Sequence, residues 1–538
     1  MKKKYVRWTL WTIASPFILF VILCILIYLP PIQNFLVDKA AVYASEATGM
    51  NISVGRISLS FPLNLVVTDV DAASPHNDTL LSVRRLQVNV QLLPLLKKQV
   101  EVDGISLQGA TVNSNDLIHG MKLNGTLGEL FISSHGVALD PETAIVNKVL
   151  LKDTDLSLCL NDTAAADTAA SDTTYWKIIL QDIDLQNVSF ALDMPLDSLS
   201  LAASLDNAIL RDGLIDLHKS AYSLQTFRIK NGRVRYDSGK PLAADSLPSG
   251  LDPSHIALTD IGVKLDSLYY EGRNMKAIIS QFVLKERSGV EIVSATGRMV
   301  SNDKVLRVPS LKLETRDSYL ELNAAMDWNA LDFKGEGLMS ARLMADIGKP
   351  DVVRFMGRMD EKFVRQYPSE PLRIRTGIDG DLNKLKLTTL TAELPGALGL
   401  FARGELTHLT DSLLRGGDIT LEAETKDLKF VSTLAEGIEI PYGTRLEGKF
   451  TMAGAKMGTD LLLMQPEAQA VAAADTIPIT VYNDSISVAD DFKMERAARL
   501  FAKYDLSRDW YEADLAVNHF DLHQFMPAAS LFTLSTRL

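Results

Sequence analysis

The chain is poor in cysteine. Only Cys24 and Cys159 occur among its 538 residues, which excludes a disulfide framework and any metal site built from several thiolates. A chain of this length can bury a large core without disulfides, so an oxidising compartment is still compatible with the sequence. The cysteine count therefore limits the chemistry of the protein more than its location.

Aromatic residues and positive charge are also scarce. Phe, Trp and Tyr together make up 7% of the chain, so stacking platforms for sugars or bases are few. The formal net charge is −12, and no basic patch stands out beyond the N-terminus. Because nucleic-acid binding depends on cationic side chains that displace counterions, we expect no nucleic-acid partner.

Common catalytic motifs are absent from the sequence. It has no G-x-S-x-G, no P-loop and no G-x-G-x-x-G after a predicted strand. His519 and His523 have the spacing of helical metal ligands, but Phe520 stands where a zinc hydrolase has glutamate. A surface pair is therefore favoured over a metal site. Scattered carboxylates leave a glycosidase open in principle, but nothing favours one, and we expect no enzyme, no catalytic residue, no cofactor and no metal.

The N-terminus carries the pattern of a membrane anchor. Residues 1–7 form a basic tail, and residues 8–29 carry no charge. As a helix, an apolar run of this length spans about 30 Å, the thickness of a bilayer core. A cleaved signal peptide is the alternative, but its apolar stretch is usually shorter and ends in a small-x-small site. The basic tail predicts a single-pass anchor in the inner (plasma) membrane with a cytoplasmic N-terminus; its central residues are Phe17, Ile18, Leu19, Phe20, Val21, Ile22 and Leu23.

Residues 30–49 predict an amphipathic helix. Ile32, Phe35, Leu36 and Tyr43 follow a helical stripe, two prolines open the segment, and Gly49 closes it. Two interpretations stay open: a helix on the outer surface of the membrane, or the first helix of a core.

From residue 50 onward the apolar period changes from 3.6 to 2. The stretch 52–70 alternates Ile57, Leu59 and Phe61 with mostly polar neighbours, as a half-exposed strand does. A phrase φ-x-φ-x-(G/D/N)-x-x-φ-x-φ, where φ is apolar, then begins at 105, 149, 183 and 227, with spacings of 44, 34 and 44 residues. Its Gly, Asp or Asn tolerates turn dihedrals and predicts a change of chain direction. The apolar pairs that open the phrase are Ile105 and Leu107, Val149 and Leu151, Ile183 and Leu185, and Phe227 and Ile229.

Helices are few in the predicted organisation. We expect them at 30–49, 349–365 and 492–503, with a short turn at 92–99, and we interpret 163–174, 241–254 and 466–476 as linkers. Segments 344–356, 424–434 and 518–526 share an Asp-φ pair and an apolar cluster after a strand. The predicted divisions are 1–7 tail, 8–29 anchor, 30–49 helix, 50–240 first β-repeats, 241–340 further β-repeats, and 341–538 β-repeats with short helices.

The predicted fold class is mainly β: a transmembrane helix followed by an elongated, repeating β-groove made of a curled antiparallel sheet. Repeats that share a sequence pattern but differ in length favour this form over ordinary β-sandwiches, which also have short strands and regular turns. In the groove, the apolar residues named above from Ile57 to Ile229 would line a trough for acyl chains; in a sandwich they would form a dry core.

The N-terminal part resembles a known family. The stretches IQNFLVDKAAVYASEATGMNISVGRISLSFPLNLVVTDV (32–70) and DTLLSVRRLQVNVQLLPLLKKQVEVDGISLQGATVN (78–113), after the basic start and anchor, look like AsmA-like proteins, and most like the TamB type from Bacteroidetes, the inner-membrane subunit of the translocation and assembly module. The resemblance covers about residues 1–240, and its most specific feature is the order of anchor, helix, R-I-S-L-S-F-P strand and D-T-L-L-x-V-x-R-L.

The resemblance implies a periplasmic protein of envelope biogenesis that is tethered to the inner membrane. It implies outer-membrane protein assembly with an Omp85-type outer-membrane partner, or transport of phospholipid between the two membranes, with phospholipid acyl chains as the ligand. TamB-type proteins are usually longer, so this chain is expected to be a fragment or a split gene product. The alternatives are a membrane-tethered adhesion or structural scaffold of closed β-sandwiches without lipid transfer, and a periplasmic hydrolase.

Overall fold

The structure is a computed structural model that divides into two compact units. Unit 1 lies within Met1–Ala243 and Ser254–Glu271, and unit 2 lies within Ala244–Pro253 and Gly272–Leu538. Both are mainly β, as the period-2 pattern predicts. The described residues are 39, 41–42, 45, 50–60, 64–74, 79–90, 102–114, 121–138, 142–160, 175–239, 250–332, 336–357, 359–434, 439–466, 479–482, 485–488, 494–521, 525–526 and 533–537.

Unit 1 is one continuous sheet in which sequence neighbours are also spatial neighbours. Its strands are β1 (Asn51–Ser60), β2 (Asn64–Ala73), β3 (Thr79–Val90), β4 (Val102–Asn113), β5 (Met121–Ala138), β6 (Thr143–Leu160), β7 (Lys177–Met194), β8 (Leu199–Asp216), β9 (Ala221–Leu224), β10 (Thr226–Ser238) and β11 (His255–Glu271). All pairings are antiparallel except the parallel pair β6–β7, and the short β9 pairs with the ends of β8 and β11. A single 3₁₀ turn, Pro195–Asp197, joins β7 to β8.

The stretch 52–70 forms a hairpin and not the single strand that its alternation predicts. Its first half lies in β1 and its second half in β2, and the pairing runs from Asn51 opposite Ala73 to Ser60 opposite Asn64. Pro62 lacks the N–H that a strand needs for its ladder, which explains the interruption.

Unit 2 is a second antiparallel meander. Its strands are β12 (Asn274–Glu286), β13 (Glu291–Ser301), β14 (Val305–Thr315), β15 (Tyr319–Asp327), β16 (Met339–Ile347), β17 (Leu372–Gly380), β18 (Lys384–Leu394), β19 (Leu398–Thr407), β20 (Gly416–Thr425), β21 (Arg445–Ala453), β22 (Lys456–Pro466), β23 (Ile479–Tyr482), β24 (Ser485–Val488), β25 (Met494–Asp505), β26 (Trp510–Asp521) and β27 (Thr533–Arg537). Each strand pairs antiparallel with the next, except that β22 pairs with β25 and the hairpin β23–β24 forms a separate two-stranded sheet.

Helical structure differs from the prediction in two places. The segment 349–365 forms two helices, α1 (Lys349–Met356) and α2 (Glu361–Gln366), because Gly357 has a φ of 76° that no α-helix accommodates. The predicted helix 492–503 is wrong, since this segment is strand β25. Its alanines favour a helix, but pairing with β22 and β26 on both sides outweighs that preference. Two 3₁₀ turns, Trp328–Leu331 and Lys429–Thr433, complete the helical elements of the described chain.

The largest apolar core of the described chain caps one end of the unit 2 sheet. Phe363 of α2 is 1% exposed and contacts the rings of Tyr367 and Phe430, whose centroids lie 5.6 and 5.7 Å away. Leu394 and Ala397, at the turn from β18 to β19, close the cluster. The predicted recurrent segments 344–356 and 424–434 contribute α1 and a 3₁₀ turn at this end of the strands, whereas α2, which carries Phe363, lies outside both.

The predicted anchor lies outside the described residues, and so do the turn 92–99, the linker 163–174, His523 and most of the linkers 241–254 and 466–476. Of the segment 30–49, Lys39, Ala41, Val42 and Ser45 are described, and all four are helical. Over the ranges given above, no helix is both long and apolar enough to cross a membrane.

Candidate functional site

The register of unit 1 collects the predicted groove residues into two straight rows. Row A runs laterally through β1–β8, β10 and β11 as Leu59, Leu65, Val88, Ile105, Ile132, Val149, Ile183, Leu210, Phe227 and Leu265. Row B lies two residues away as Ile57, Val67, Leu86, Leu107, Leu130, Leu151, Leu185, Ala208, Ile229 and Val263. Ten of the eleven predicted residues lie in these rows, and Phe61 lies outside the described residues.

Six of the ten residues in each row come from strands that the recurrent phrase does not include. Leu86, Leu130 and Ile132 lie on the return strands β3 and β5, where the phrase itself is absent. The sequence signal for these positions is the alternation of apolar residues in β3 and β5. In the sheet, these residues pair with the apolar residues of the phrase. Sequence reasoning missed these positions because it followed the repeated phrase alone.

The recurrent Gly, Asp or Asn marks a bend inside a strand and not the end of a strand. Gly109, Asp153, Asn187 and Asn231 have φ between 50° and 62° and lie within β4, β6, β7 and β10; Asp69 in β2, outside the predicted phrase, has the same conformation. Left-handed backbone at one residue interrupts the alternation of side chains between the two faces. The prediction that the chain turns at this residue was therefore wrong. These residue types do occur here for the predicted reason, which is their tolerance of unusual backbone dihedrals.

The bend extends the apolar face of the sheet to a third row of residues. Row C lies three residues beyond row B in every strand except β11, where the step is two, and is Val54, Val70, Val83, Ala110, Leu127, Thr154, Val188, Leu205, Gly232 and Ile261. An odd spacing would normally place rows B and C on opposite faces. A Cβ at Gly232 would instead lie 3.2 Å from Cγ2 of Ile229, so the two rows share a face at this point.

No second layer buries this face among the described residues of unit 1. Its fully buried apolar side chains larger than alanine are only Leu80, Val83 and Ile261. Apart from buried Ala208, the row A and row B residues are half-buried, and Ile105 keeps 36% of its surface exposed. In row C, Val83, Thr154 and Ile261 are buried. Inner faces of packed sheets lose nearly all contact with water. The face therefore offers apolar surface and dispersion contacts to a ligand.

The opposite face of the unit 1 sheet is mostly polar, although Val66, Phe131, Leu150 and Ile209 lie on it between rows A and B. Between rows B and C the register places Thr68, Arg85, Gln108, Glu129, Lys152, Gln186, Asn207 and Lys230 side by side. Nearby, Ser189 Oγ donates to Asp155 Oδ1 at 2.6 Å, and Asn231 Nδ2 donates to Asp206 Oδ2 at 2.9 Å. Such cross-strand pairs fix the register that aligns the apolar rows.

Unit 2 repeats the division into an apolar and a polar face with smaller apolar residues. One lateral row, row D, mixes alanine with larger aliphatic side chains: Ala295, Leu313, Leu320, Ala345, Ile374, Ala392, Leu400, Ala423, Leu446, Leu463, Ala498 and Val517. Its polar face carries cross-strand ion pairs such as Arg375 with Asp346 and Lys449 with Asp418.

A cleft of about 540 Å³ lies on this charged side of unit 2. Arg499 binds Asp460 through two hydrogen bonds of 2.8 and 2.5 Å, which lower the pKa of that carboxyl. Arg445 lies 3.9 Å from Glu422 and 3.4 Å from Glu447. The charges of the cleft are thus largely paired with one another, as on a solvated face.

Glu424 is a buried carboxyl near this cleft. It is 5% exposed, and within the described part of the chain its Oε2 has no hydrogen-bond partner. Burial raises the pKa of Glu424, while the charges of Arg445 and Lys426 act in the opposite direction. His519, which the sequence pairs with His523, lies on strand β26, so the helical spacing of that pair does not correspond to a helix at His519.

The chain has no match among protein-family models or among curated proteins. The resemblance to AsmA-like proteins thus stays a prediction from the sequence, and the geometry of the two sheets carries the functional argument.

Proposed function

We propose that this protein is a non-enzymatic, inner-membrane-anchored periplasmic protein of envelope biogenesis that shields phospholipid acyl chains in a repeating β-groove. The observation that carries the proposal is the run of apolar residues across ten strands of unit 1 in rows A and B, without a covering layer among the described residues. Closed sandwiches, the alternative scaffold, would bury these rows.

The proposed mechanism is passive. Rows A and B are built from Leu, Ile, Val and Phe with a single Ala, so they present no group that selects a headgroup. Each methylene that leaves water on such a surface gains about 0.8 kcal/mol. Ten strands spaced about 4.8 Å apart give each row a length of about 43 Å. An acyl chain lying along the rows exchanges contact with one strand for contact with the next, without a chemical step.

Localisation and partners in this proposal rest on the sequence. The uncharged run 8–29 after a basic tail supports the inner membrane with a cytoplasmic N-terminus. The resemblance to TamB-type proteins supports a role in outer-membrane protein assembly, protein secretion or lipid transport, with an Omp85-type outer-membrane protein as partner.

The test introduces charge on the apolar face and compares it with the same charge on the polar face. Leu107 and Leu185 lie in row B, and their neighbours Gln108 and Gln186 lie in the polar row. The double variants L107E/L185E and Q108E/Q186E carry equal added charge and the same N-terminus. Bound lipid is extracted from each purified full-length protein and quantified by mass spectrometry, and folding is checked by circular dichroism.

We expect L107E/L185E to stay folded and to lose bound phospholipid relative to Q108E/Q186E, because a carboxylate on the apolar face repels acyl chains. Two results contradict the proposal. If L107E/L185E unfolds while Q108E/Q186E folds, the rows form a closed dry core. If both variants are folded and carry the same lipid, acyl chains do not bind here.

A further inference from the structure

Three neighbouring turns expose large apolar side chains at one edge of unit 2, where edge means the line of turns at one end of the strands. They are the turns 408–415 between β19 and β20, 454–455 between β21 and β22, and 506–509 between β25 and β26. Exposure is 83% for Leu413, 63% for Leu414 and 44% for Leu506, and Trp510 and Tyr511 just beyond the third turn are 51% and 76% exposed. These five residues are called the apolar tips.

Hydrogen bonds hold the three turns side by side. Gly454 N donates to Arg415 O at 2.7 Å, and Leu506 N donates to Ala455 O at 2.9 Å. Within the first turn, Asp411 Oδ1 accepts the backbone N–H of Leu413 at 2.8 Å and of Leu414 at 3.2 Å. This Asp-centred turn fixes the backbone while both leucine side chains stay in solvent. The exposure is therefore built into the local structure.

The turn 302–304 at the same edge is polar. In an antiparallel meander every second turn lies at one edge, which places 302–304 and 381–383 with the apolar tips. The turn 302–304 reads Asn-Asp-Lys, and Asn302 Oδ1 accepts from Lys304 N at 2.9 Å. Of the turns at this edge, those between β19 and β26 expose five large apolar side chains, and the turn 328–338 between β15 and β16 exposes Leu338 to 64%. The Phe363 cluster lies at the opposite end of the strands, beyond β18, and α2 packs onto its apolar residues, while Phe355 and Leu434 stay exposed there.

The residue types of the apolar tips match the layers of a lipid interface, from its apolar interior to its headgroups. Leucine side chains lie within the turns, Trp510 and Tyr511 follow at the start of β26, and cations flank them. Amphipathic aromatic rings favour the headgroup level of a bilayer, and aliphatic chains favour the layer below it. The cations Arg415, Lys456 and Arg508 are matched by Asp411, Asp505 and Asp509, so the local charge is balanced. A zwitterionic headgroup suits such a surface better than an anionic one.

We propose that the apolar tips insert into the headgroup layer of a phospholipid bilayer and make this edge of unit 2 a membrane-docking edge. Side chains on three separate protruding turns fit a fluid surface, whereas a protein partner would need a rigid complement to each turn. This inference does not require that unit 1 binds acyl chains.

The test measures whether the turn 408–415 of the full-length chain lies in lipid or in water. Leu413→Cys carries an environment-sensitive fluorophore in a background where Cys24 and Cys159 are replaced by serine. Asp303→Cys, at the polar turn of the same edge, carries the control label. Each protein is reconstituted in phosphatidylcholine vesicles with and without bromine-labelled lipid, so the anchor is present in both and the label reports its own turn.

We expect the label at 413 to emit at shorter wavelength and to be quenched by brominated lipid, while the label at 303 keeps its aqueous emission. Adding W510S and Y511S should reduce the quenching at 413. Aqueous emission at 413 overturns the proposal. A shifted emission that brominated lipid does not quench overturns it as well, because the apolar tips then contact protein, such as a second copy of the chain.

Discussion

Asn187 Nδ2 donates a hydrogen bond of 2.9 Å to Asp153 Oδ1, and both residues have left-handed backbone in the middle of the parallel strands β7 and β6. The two residues occupy the same slot of the recurrent phrase. Their lateral pairing shows how the phrase works: it places one bend at the same height in β4, β6, β7 and β10. The bend lets a single apolar face extend over rows A, B and C.

We predict that the bend residues are selected for conformation. Asn187→Val should lower the free energy of unfolding by about 2 kcal/mol, because a β-branched residue in left-handed backbone is strained and the hydrogen bond to Asp153 is lost. Asn187→Gly loses the same hydrogen bond without strain and should cost at most about 1 kcal/mol. Urea denaturation of the full-length chain measures both. Equal losses for Val and Gly would contradict the role of the bend.

The cluster that caps unit 2 should contribute strongly to its stability. Phe363→Ala is expected to cost about 3–5 kcal/mol, since it removes a fully buried ring and leaves a cavity. Phe355→Ala on the adjacent helix is the matched control, because Phe355 is 57% exposed and its loss should cost about 0.5 kcal/mol or less. Thermal denaturation compares the two. A similar loss for both variants would show that the cluster has no special stabilising role.

Glu424 should make the stability of unit 2 depend on pH. Because burial raises the pKa of this carboxyl, the folded state favours its protonated form. Its contribution to stability is thus present below the ordinary glutamate value of 4.5 and lost as pH rises through the raised folded pKa. Glu424→Gln should therefore be more stable than the natural protein at neutral pH.

The pH series of this variant provides the check. The difference in urea midpoint between Glu424→Gln and the natural protein should shrink as pH falls, whereas exposed Glu512→Gln should show no such trend. A Glu424→Gln variant that is less stable than the natural protein at neutral pH would refute the assignment of an unfavourable buried charge.

Much of the sheet was predictable from the sequence because apolar alternation reports which residues share a face. Ile105, Leu107, Val149 and Leu151 were identified this way, and they do lie together in rows A and B. The spacing of 34 residues between Val149 and Ile183 also has a structural cause. Strands β6 and β7 are parallel and paired, so no return strand intervenes.

What the sequence did not predict depends on contacts between distant segments. The bend at Gly109 looks like a turn until the strand is seen to continue to Asn113. The alanines of 494–505 have helical preference, and only pairing with β22 and β26 makes this segment a strand. The sequence did not indicate the Phe363 cluster, because the charged residues Lys362 and Arg365 lie on either side of the one apolar turn of its helix.

The most direct test of the central claim asks what touches the apolar face of unit 1. A photoreactive benzoyl-phenylalanine replaces Leu151 of row B or the adjacent Lys152 of the polar row in the full-length chain, which is illuminated in phosphatidylcholine vesicles. We predict a phospholipid adduct at position 151 and none at 152, because successive strand residues face opposite sides of the sheet. Adducts at 151 that join only segments of the protein, with no lipid attached, would contradict the account.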